Sequence, residues 1–140
     1  MKIVKHSKVL VCLVMIGFLL TGCKNKSELL LRTWAVNNLK YSAEISPEKQ
    51  PEIDRIVEEL RNTFRITYNA DGTYNTTTAT QQLSGKWKLN WNSSVITSTD
   101  QSGDSKEFKI LELSETKFNF KAVDQAGEVE FEMIPAKETK

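Results

Sequence analysis

The second half of the chain alternates between apolar and polar residues, from Phe64 to Met133. This period-2 alternation is typical of β-strands that bury one face. Turn segments rich in Asn, Asp, Gly and Ser interrupt it, such as Asn69–Gly72, whose glycine can adopt a positive φ. The pattern predicts seven consecutive short strands, and Thr33–Tyr41 adds an earlier one.

The segment between the first and second predicted strands has helical periodicity instead. Pro51 suits a first helical position, and Glu52 and Asp54 place negative charge at the positive end of the helix dipole. We predict an amphipathic helix over residues 51–61 that packs on the domain. A membrane-surface helix is the alternative, but acids outnumber bases on its polar face. Its apolar stripe consists of Ile53, Ile56, Val57 and Leu60.

Short connections between about eight strands indicate that neighbours in sequence are antiparallel neighbours in space. A meander with one apolar face can hide that face, and remove its free edges, by closing on itself. The predicted fold is therefore mostly β: an antiparallel meander of about eight strands closed as a barrel, with one amphipathic helix between the first and second strands. A two-sheet sandwich is the alternative.

The amino-terminal residues have the pattern of an export signal. Lys2, Lys5 and Lys8 precede an apolar run, Val9–Leu20. The run is shorter than the ~20 residues that a spanning helix requires, so a permanent transmembrane anchor is the less favoured alternative.

The end of this run, Leu20-Thr21-Gly22-Cys23, resembles the lipobox of bacterial lipoproteins. The resemblance implies that residues 1–22 are removed and that Cys23 carries a diacylglyceryl group on its sulfur. The expected partner is then a membrane, reached through this lipid. Lys24 stands where some lipoproteins have the aspartate that retains them at the inner membrane. We therefore expect a lipid-anchored protein of the cell envelope, at the outer membrane rather than the inner, with the leaflet undetermined.

The same boundary divides the rest of the chain. Residues 23–28 are predicted to be the lipidated cysteine and a polar tether, residues 29–135 the folded domain, and residues 136–140 a charged tail.

Removal of the signal changes which chemistry is available. His6 and Cys12 are removed with residues 1–22. The 118 remaining residues therefore contain no histidine, and Cys23 is their single cysteine. Catalysis by a histidine base and zinc sites of Cys and His are excluded. Loss of three lysines leaves 16 basic against 18 acidic residues, a net charge of −2 where the full chain has +1. This charge argues against nucleic acid as a partner. No cofactor, metal ligand or catalytic residue is predicted.

Carboxylate chemistry is disfavoured by the strand pattern. Glu128, Glu130 and Glu132 alternate with apolar residues, which is typical of the solvated face of a strand.

Large aromatic side chains are predicted on the inner face of the barrel. They line a ligand cavity, with a polar mouth from Thr76, Thr78 and Gln82, or they simply fill the core. The candidate ligand-lining residues are Phe64, Tyr68, Tyr74, Trp87, Trp91, Phe118, Phe120 and Phe131, with Phe108 on the same face.

Four motifs, in order, resemble the lipocalin-like domains of bacterial lipoproteins. They are Leu31-Arg32-Thr33-Trp34, then Phe64 and Tyr68 leading into Asn69-Ala70-Asp71-Gly72-Thr73-Tyr74, then Gly85-Lys86-Trp87-Lys88-Leu89, and finally Ile110-Leu111-Glu112-Leu113 before Phe118. The resemblance covers about residues 29–135 and implies a barrel fold and a location more than an activity. Arg32 departs from the glycine that is common in the family at that position.

Two functions follow from these expectations. The first is binding of a small hydrophobic or amphipathic ligand. The second is a non-catalytic structural or interaction subunit of an envelope assembly, with a filled barrel and an envelope protein as partner. The polar stretch Thr73–Thr80 would then be an exposed edge open to that partner, or simply a hairpin in water. An enzyme is the least favoured class.

Overall fold

The computed structural model describes residues 24–124 and 127–138. The predicted signal and the lipidation site Cys23 lie outside these residues. The described chain forms two helices and eight strands. They are α1 (Lys26–Leu30), β1 (Thr33–Tyr41), α2 (Gln50–Thr63), β2 (Arg65–Tyr68), β3 (Thr73–Thr77), β4 (Gln82–Leu89), β5 (Val95–Asp100), β6 (Ser105–Leu113), β7 (Phe118–Asp124) and β8 (Gly127–Pro135).

The strands form one closed barrel in sequence order, and β1 pairs with β8 to close it. The predicted meander and the predicted helix between the first two strands are confirmed, and the sandwich alternative is wrong. Tyr74 in β3 is paired with Tyr68 on one side and with Gly85 on the other. β3 is therefore not an exposed edge of the sheet, which was one of the two interpretations of Thr73–Thr80.

Helix α1 covers one end of the barrel, which also carries the turns Asn69–Gly72, Asn90–Ser94 and Ser114–Lys117. We call it the closed end. Leu30 is fully buried, and the indole N–H of Trp34 donates to the Leu30 carbonyl oxygen at 3.2 Å. Most of this helix falls in the segment 23–28 that was predicted to be a polar tether.

A capping signal in the sequence explains why α1 forms. The Asn25 side chain accepts from the backbone N–H of Glu28 at 2.9 Å, so Asn25-x-x-Glu28 resembles a capping box. Two leucines follow it, and burial of the second makes this short helix stable.

Arg32 is accommodated at the closed end without the expected glycine. Its guanidinium carbon lies 5.4 Å from the ring centroid of Trp34, a cation–π distance. One terminal nitrogen donates to the Glu115 carbonyl oxygen at 2.6 Å. Arg32 therefore links β1 to the β6–β7 turn beneath the core.

Helix α2 lies in the β1–β2 connection, at the opposite end, which we call the open end. Val57 is buried, and Ile53 and Leu60 pack against the core. The apolar stripe thus faces the barrel, as the packing hypothesis expected.

The acidic residues of β8 point outward and pair with neighbouring strands. Glu132 forms an ion pair with Lys40 of β1, and Glu128 lies 3.4 Å from Lys121 of β7. The prediction of a solvated strand face is confirmed for Glu128, whose side chain is 55% exposed, whereas Glu132 is largely covered at 21% exposure.

Candidate ligand-binding site

A connected set of aromatic rings occupies the barrel interior. The Phe118 centroid lies 5.4 Å from that of Trp34 and 4.9 Å from that of Phe120. Phe131 stacks on Phe120 at 5.0 Å, and Phe108 meets Phe120 edge-on at 5.3 Å. These offset and edge-to-face arrangements are those that aromatic pairs prefer. Aromatic side chains therefore occupy the centre of the barrel.

Tyr68 continues this set toward the closed end. Its ring lies 5.4 Å from that of Trp87, nearly perpendicular to it, and the Trp87 indole N–H donates to the Asn69 carbonyl oxygen at 3.1 Å. Burial raises the pKa of Tyr68 well above its ordinary value of 10.0, so the phenol stays neutral.

Seven of the eight candidate ligand-lining residues belong to this core or pack against it; their contact with a ligand stays a prediction. These seven are Phe64, Tyr68, Tyr74, Trp87, Phe118, Phe120 and Phe131.

Trp91 is the exception, because its side chain is 94% exposed. The alternating pattern of Trp87 and Leu89 predicted a strand that continues through Trp91, but β4 ends at Leu89. The Asn90 side chain accepts from the backbone N–H of Ser94 at 2.8 Å and so starts a turn. This local hydrogen bond competes with strand formation, and Trp91 lies on the turn.

Ser98 is a buried polar residue of β5 on the same face as the buried Ile96. Its side chain is only 7% exposed, and within residues 24–124 and 127–138 no group is hydrogen-bonded to its Oγ. A buried hydroxyl without a partner is unfavourable, so this position suits a water molecule or a polar ligand atom.

A cavity of about 340 Å³ lies between α2 and β1 at the open end. Its size falls at the lower end of the ~300–1,000 Å³ that is typical of small-molecule sites. Its apolar floor consists of Leu39, Tyr41, Ile45, Ile53 and Val57. Its polar rim consists of Asn38, Gln50, Asp54, Glu58 and Arg61.

Unequal strand lengths create this cavity. β1 has nine residues and β2 has four, and their register joins only Thr33–Ala35 of β1 to β2. α2 packs beside the other six residues of β1 in place of a longer β2. The β1 strand bulges between Val36 and Asn38, and the Arg61 Nε–H donates to the Asn37 carbonyl oxygen at 2.6 Å. A helix cannot follow a strand as closely as another strand does, so a space remains between them.

The polar side chains of the rim bond to one another, and the rim carries a net negative charge. The Gln50 amide donates to Asp54 at 2.8 Å, and Arg61 lies 3.3 Å from Glu58. Two carboxylates therefore face one guanidinium, so the rim disfavours an anionic ligand.

A larger groove of about 590 Å³ crosses the outer face of β3, β4 and β5. It is lined by polar side chains that bond to each other, for example Gln101 to Ser84 at 2.8 Å. Its polar lining and outward position suit solvent better than an apolar ligand, so we assign the candidate site to the cavity beneath α2.

Sequence reasoning missed the residues of this cavity because it assigned the α2 stripe to packing alone. One signal was present. The first predicted strand, Thr33–Tyr41, is much longer than the alternating segment Phe64–Tyr68, with which it must pair. That mismatch leaves part of β1 to be covered by the helix.

In the part of the chain that the structure describes, no group of three or more His, Cys, Asp and Glu side chains is placed to hold a metal ion. Over the same residues, no helix combines the length and the apolar character needed to cross a membrane.

A closed eight-stranded antiparallel barrel is the architecture of the lipocalin-like class. The sequence model of the lipocalin-like domain family matches residues 30–120, and the chain belongs to this family.

Solved structures of similar fold come from two Bacteroides species. A DUF4847 family protein from Bacteroides vulgatus ATCC 8482 is 13% identical with a TM-score of 0.57, and the match covers 81% of this chain and 99% of that one. A protein from Bacteroides uniformis ATCC 8492 is 13% identical with a TM-score of 0.51, and the match covers 80% and 93%. At these identities the likeness shows the fold alone. No curated protein matches the chain.

Proposed function

We propose that this protein is a membrane-anchored lipocalin-like binder that holds a small amphipathic ligand in the cavity between α2 and β1. The observation that carries the proposal is the cavity of about 340 Å³ with an apolar floor and a polar rim. Such a site buries the apolar part of a ligand and fixes its polar group at the edge. The lipocalin-like fold supports a binding role rather than catalysis.

The rim charges narrow the ligand class. Asp54 and Glu58 outnumber Arg61, whose guanidinium already donates to Asn37 and Glu58. A neutral or cationic polar group is therefore favoured over a carboxylate or phosphate, because an anion would face two carboxylates with little free positive charge.

Native mass spectrometry of the protein purified from its own host tests for a retained ligand. Titration with the neutral probe N-phenyl-1-naphthylamine then measures binding by probe fluorescence. We expect Ile53→Trp, which extends a larger side chain into the cavity floor, to weaken probe binding at least ~10-fold, a change of about 1.4 kcal/mol.

Arg55→Trp is the matched control, because Arg55 lies on the same helix with a side chain that is 69% exposed and away from the cavity lining. It should bind the probe as the unmodified protein does. Absence of probe binding, or equal binding by both variants, would contradict the assignment of the ligand to this cavity.

The filled barrel centre favours a second candidate, a non-catalytic interaction subunit of an envelope assembly. The stacked rings of Phe120 and Phe131, 5.0 Å apart, leave the barrel axis occupied. Copurification of a stoichiometric envelope protein with a ligand-free chain would favour this candidate over the binder.

The anchor rests on the lipobox residues Leu20-Thr21-Gly22-Cys23. Cys23→Ala should leave an unprocessed chain that incorporates no labelled palmitate. Continued labelling of that variant would refute lipidation at Cys23.

A further inference from the structure

Trp91 is displayed on a rigid turn at the closed end of the barrel. Its side chain is 94% exposed, although tryptophan is a large residue that normally buries most of its surface. The turn around it is ordered by hydrogen bonds from the Ser94 N–H to Asn90 at 2.8 Å and from the Ser94 hydroxyl to Asn92 at 2.6 Å. The exposure therefore belongs to a defined conformation of the turn.

The amino end of the described chain is fixed to the same end. Lys24 forms an ion pair with Glu115 at 2.6 Å, and the Lys26 ammonium donates to the Ser93 carbonyl oxygen at 3.2 Å. The second contact reaches the turn that carries Trp91. Because α1 is docked on the barrel, no flexible tether separates the domain from residue 24.

Cys23 is the residue directly before Lys24, and consecutive Cα atoms lie only ~3.8 Å apart. A lipid on Cys23 would therefore hold the closed end at the bilayer surface. Leu31 and Leu111, 37% and 41% exposed, add apolar surface near this end.

We propose that the closed end is a membrane-contact surface, in which the Trp91 ring enters the bilayer interface beside the lipid on Cys23. Tryptophan is favoured at this depth because its ring is apolar while its N–H can bond to headgroups. The ammonium group of Lys26, which is bonded only to a neutral carbonyl oxygen, would face lipid phosphates. The open end and its cavity then point away from the bilayer. The inference rests on the proposed anchor at Cys23.

The test uses the full chain, purified from bacterial membranes and reconstituted into vesicles of phosphatidylethanolamine and phosphatidylglycerol doped with acyl-chain-brominated phosphatidylcholine. The chain has three tryptophans, and Trp34 and Trp87 pack inside the barrel. Bromolipid quenching should therefore report Trp91. We expect quenching in the unmodified protein and its loss in Trp91→Ala.

A tryptophan at the open end provides the matched control. Leu83 is 54% exposed near the start of β4, and the six residues to Leu89 span ~20 Å along the strand. In Trp91→Ala/Leu83→Trp, the new ring should be quenched by aqueous acrylamide and not by bromolipid.

Three outcomes would overturn the inference in distinguishable ways. An intact mass without the diacylglyceryl group removes the anchor and this orientation together. A lipidated chain whose Trp91 is quenched only by acrylamide refutes the orientation and leaves the anchor. Bromolipid quenching at Leu83→Trp shows that the open end faces the membrane instead.

Discussion

At Gly85 the barrel wall has no space for a side chain. A Cβ atom there would lie 2.2 Å from the Thr99 carbonyl oxygen and 2.8 Å from Cε1 of Tyr74. Both distances are far below van der Waals contact, and the first involves backbone. Glycine in the Gly85-x-Trp87 motif therefore permits β4 to approach β5 while Tyr74 packs inside.

Gly85→Ala should lower the free energy of unfolding by at least ~2 kcal/mol, because an overpacked site must displace backbone. Denaturant titration followed by far-UV circular dichroism measures the loss. Gly103→Ala is the control: its φ of +91° is strained for alanine, but nothing lies within 4 Å. That strain costs about 1 kcal/mol. Equal losses at the two positions would show that the close contacts at Gly85 are not limiting.

Asp71 orders the β2–β3 turn through its carboxylate. The Thr73 hydroxyl and backbone N–H donate to it at 2.6 and 2.9 Å. These two hydrogen bonds hold the pKa of Asp71 below its ordinary value of 3.8. A depressed folded-state pKa stabilises the fold above the unfolded-state pKa, and this contribution is lost as the pH falls through the folded-state pKa.

Asp71→Asn should therefore lower the Tm at pH 7, and the difference from the unmodified protein should shrink as the pH falls below 3.8. Thermal melts from pH 7 to pH 2.5 measure this. Glu107→Gln, an exposed carboxylate on β6, is the reference substitution. A difference that is constant with pH would mean that the turn does not depend on the charge of Asp71.

At the scale of elements, the periodicity of apolar residues predicted most of the strands and α2, whereas local hydrogen bonds decided where β4 ends and how α1 begins. The alternation of apolar residues predicted most of the strands and the stripe of α2, because each of these elements buries one face, and the turn Asn69–Gly72 predicted the polar strand β3. It failed at Trp91, where Asn90 ends β4 by bonding to Ser94. It also failed at α1, whose five residues are too few to show a period.

The α1 helix should behave as part of the fold rather than as a tether. Leu30 is fully buried under the barrel, and Trp34 bonds to its carbonyl oxygen. Leu30→Ala should therefore cost ~2–5 kcal/mol of unfolding free energy, the range for large-to-small changes in a core.

Leu31→Ala, one residue later and 37% exposed, is the control and should cost much less. Urea titration of both variants, followed by the fluorescence of buried tryptophans, gives the comparison. If Leu30→Ala were as stable as the control, α1 would contribute nothing to the barrel.

At the scale of the whole molecule, the two ends of the barrel differ in kind. The closed end is fastened by α1, Arg32 and Lys24, whereas at the open end α2 lies beside β1 with a cavity between them. The family resemblance predicted a barrel, and the aromatic pattern predicted its inner face. Neither could predict the position of the cavity, because the cavity depends on how far β2 extends beside β1. Tertiary packing determines where β2 begins and α2 ends.

This asymmetry predicts unequal hydrogen exchange. Only Val57 of α2 is buried, while β7 contains the buried Phe118 and Phe120. Local opening of α2 should therefore cost less than opening of β7, and α2 amides should exchange faster. A ligand bound between α2 and β1 must stabilise α2 in its packed position against β1. N-phenyl-1-naphthylamine at 100 times its Kd should slow α2 exchange by ~100-fold, equivalent to about 2.7 kcal/mol.

The location of the protection decides between two binding sites. If the probe lies between α2 and β1, exchange should slow in α2 and not in β7, and Ile53→Trp should abolish the effect. If the probe instead lies within the barrel, it must displace the rings of Phe120 and Phe131, which stack 5.0 Å apart. Exchange in β7 and β8 would then change, and α2 would show no selective slowing. That result would contradict binding between α2 and β1 even if the protein still bound the probe.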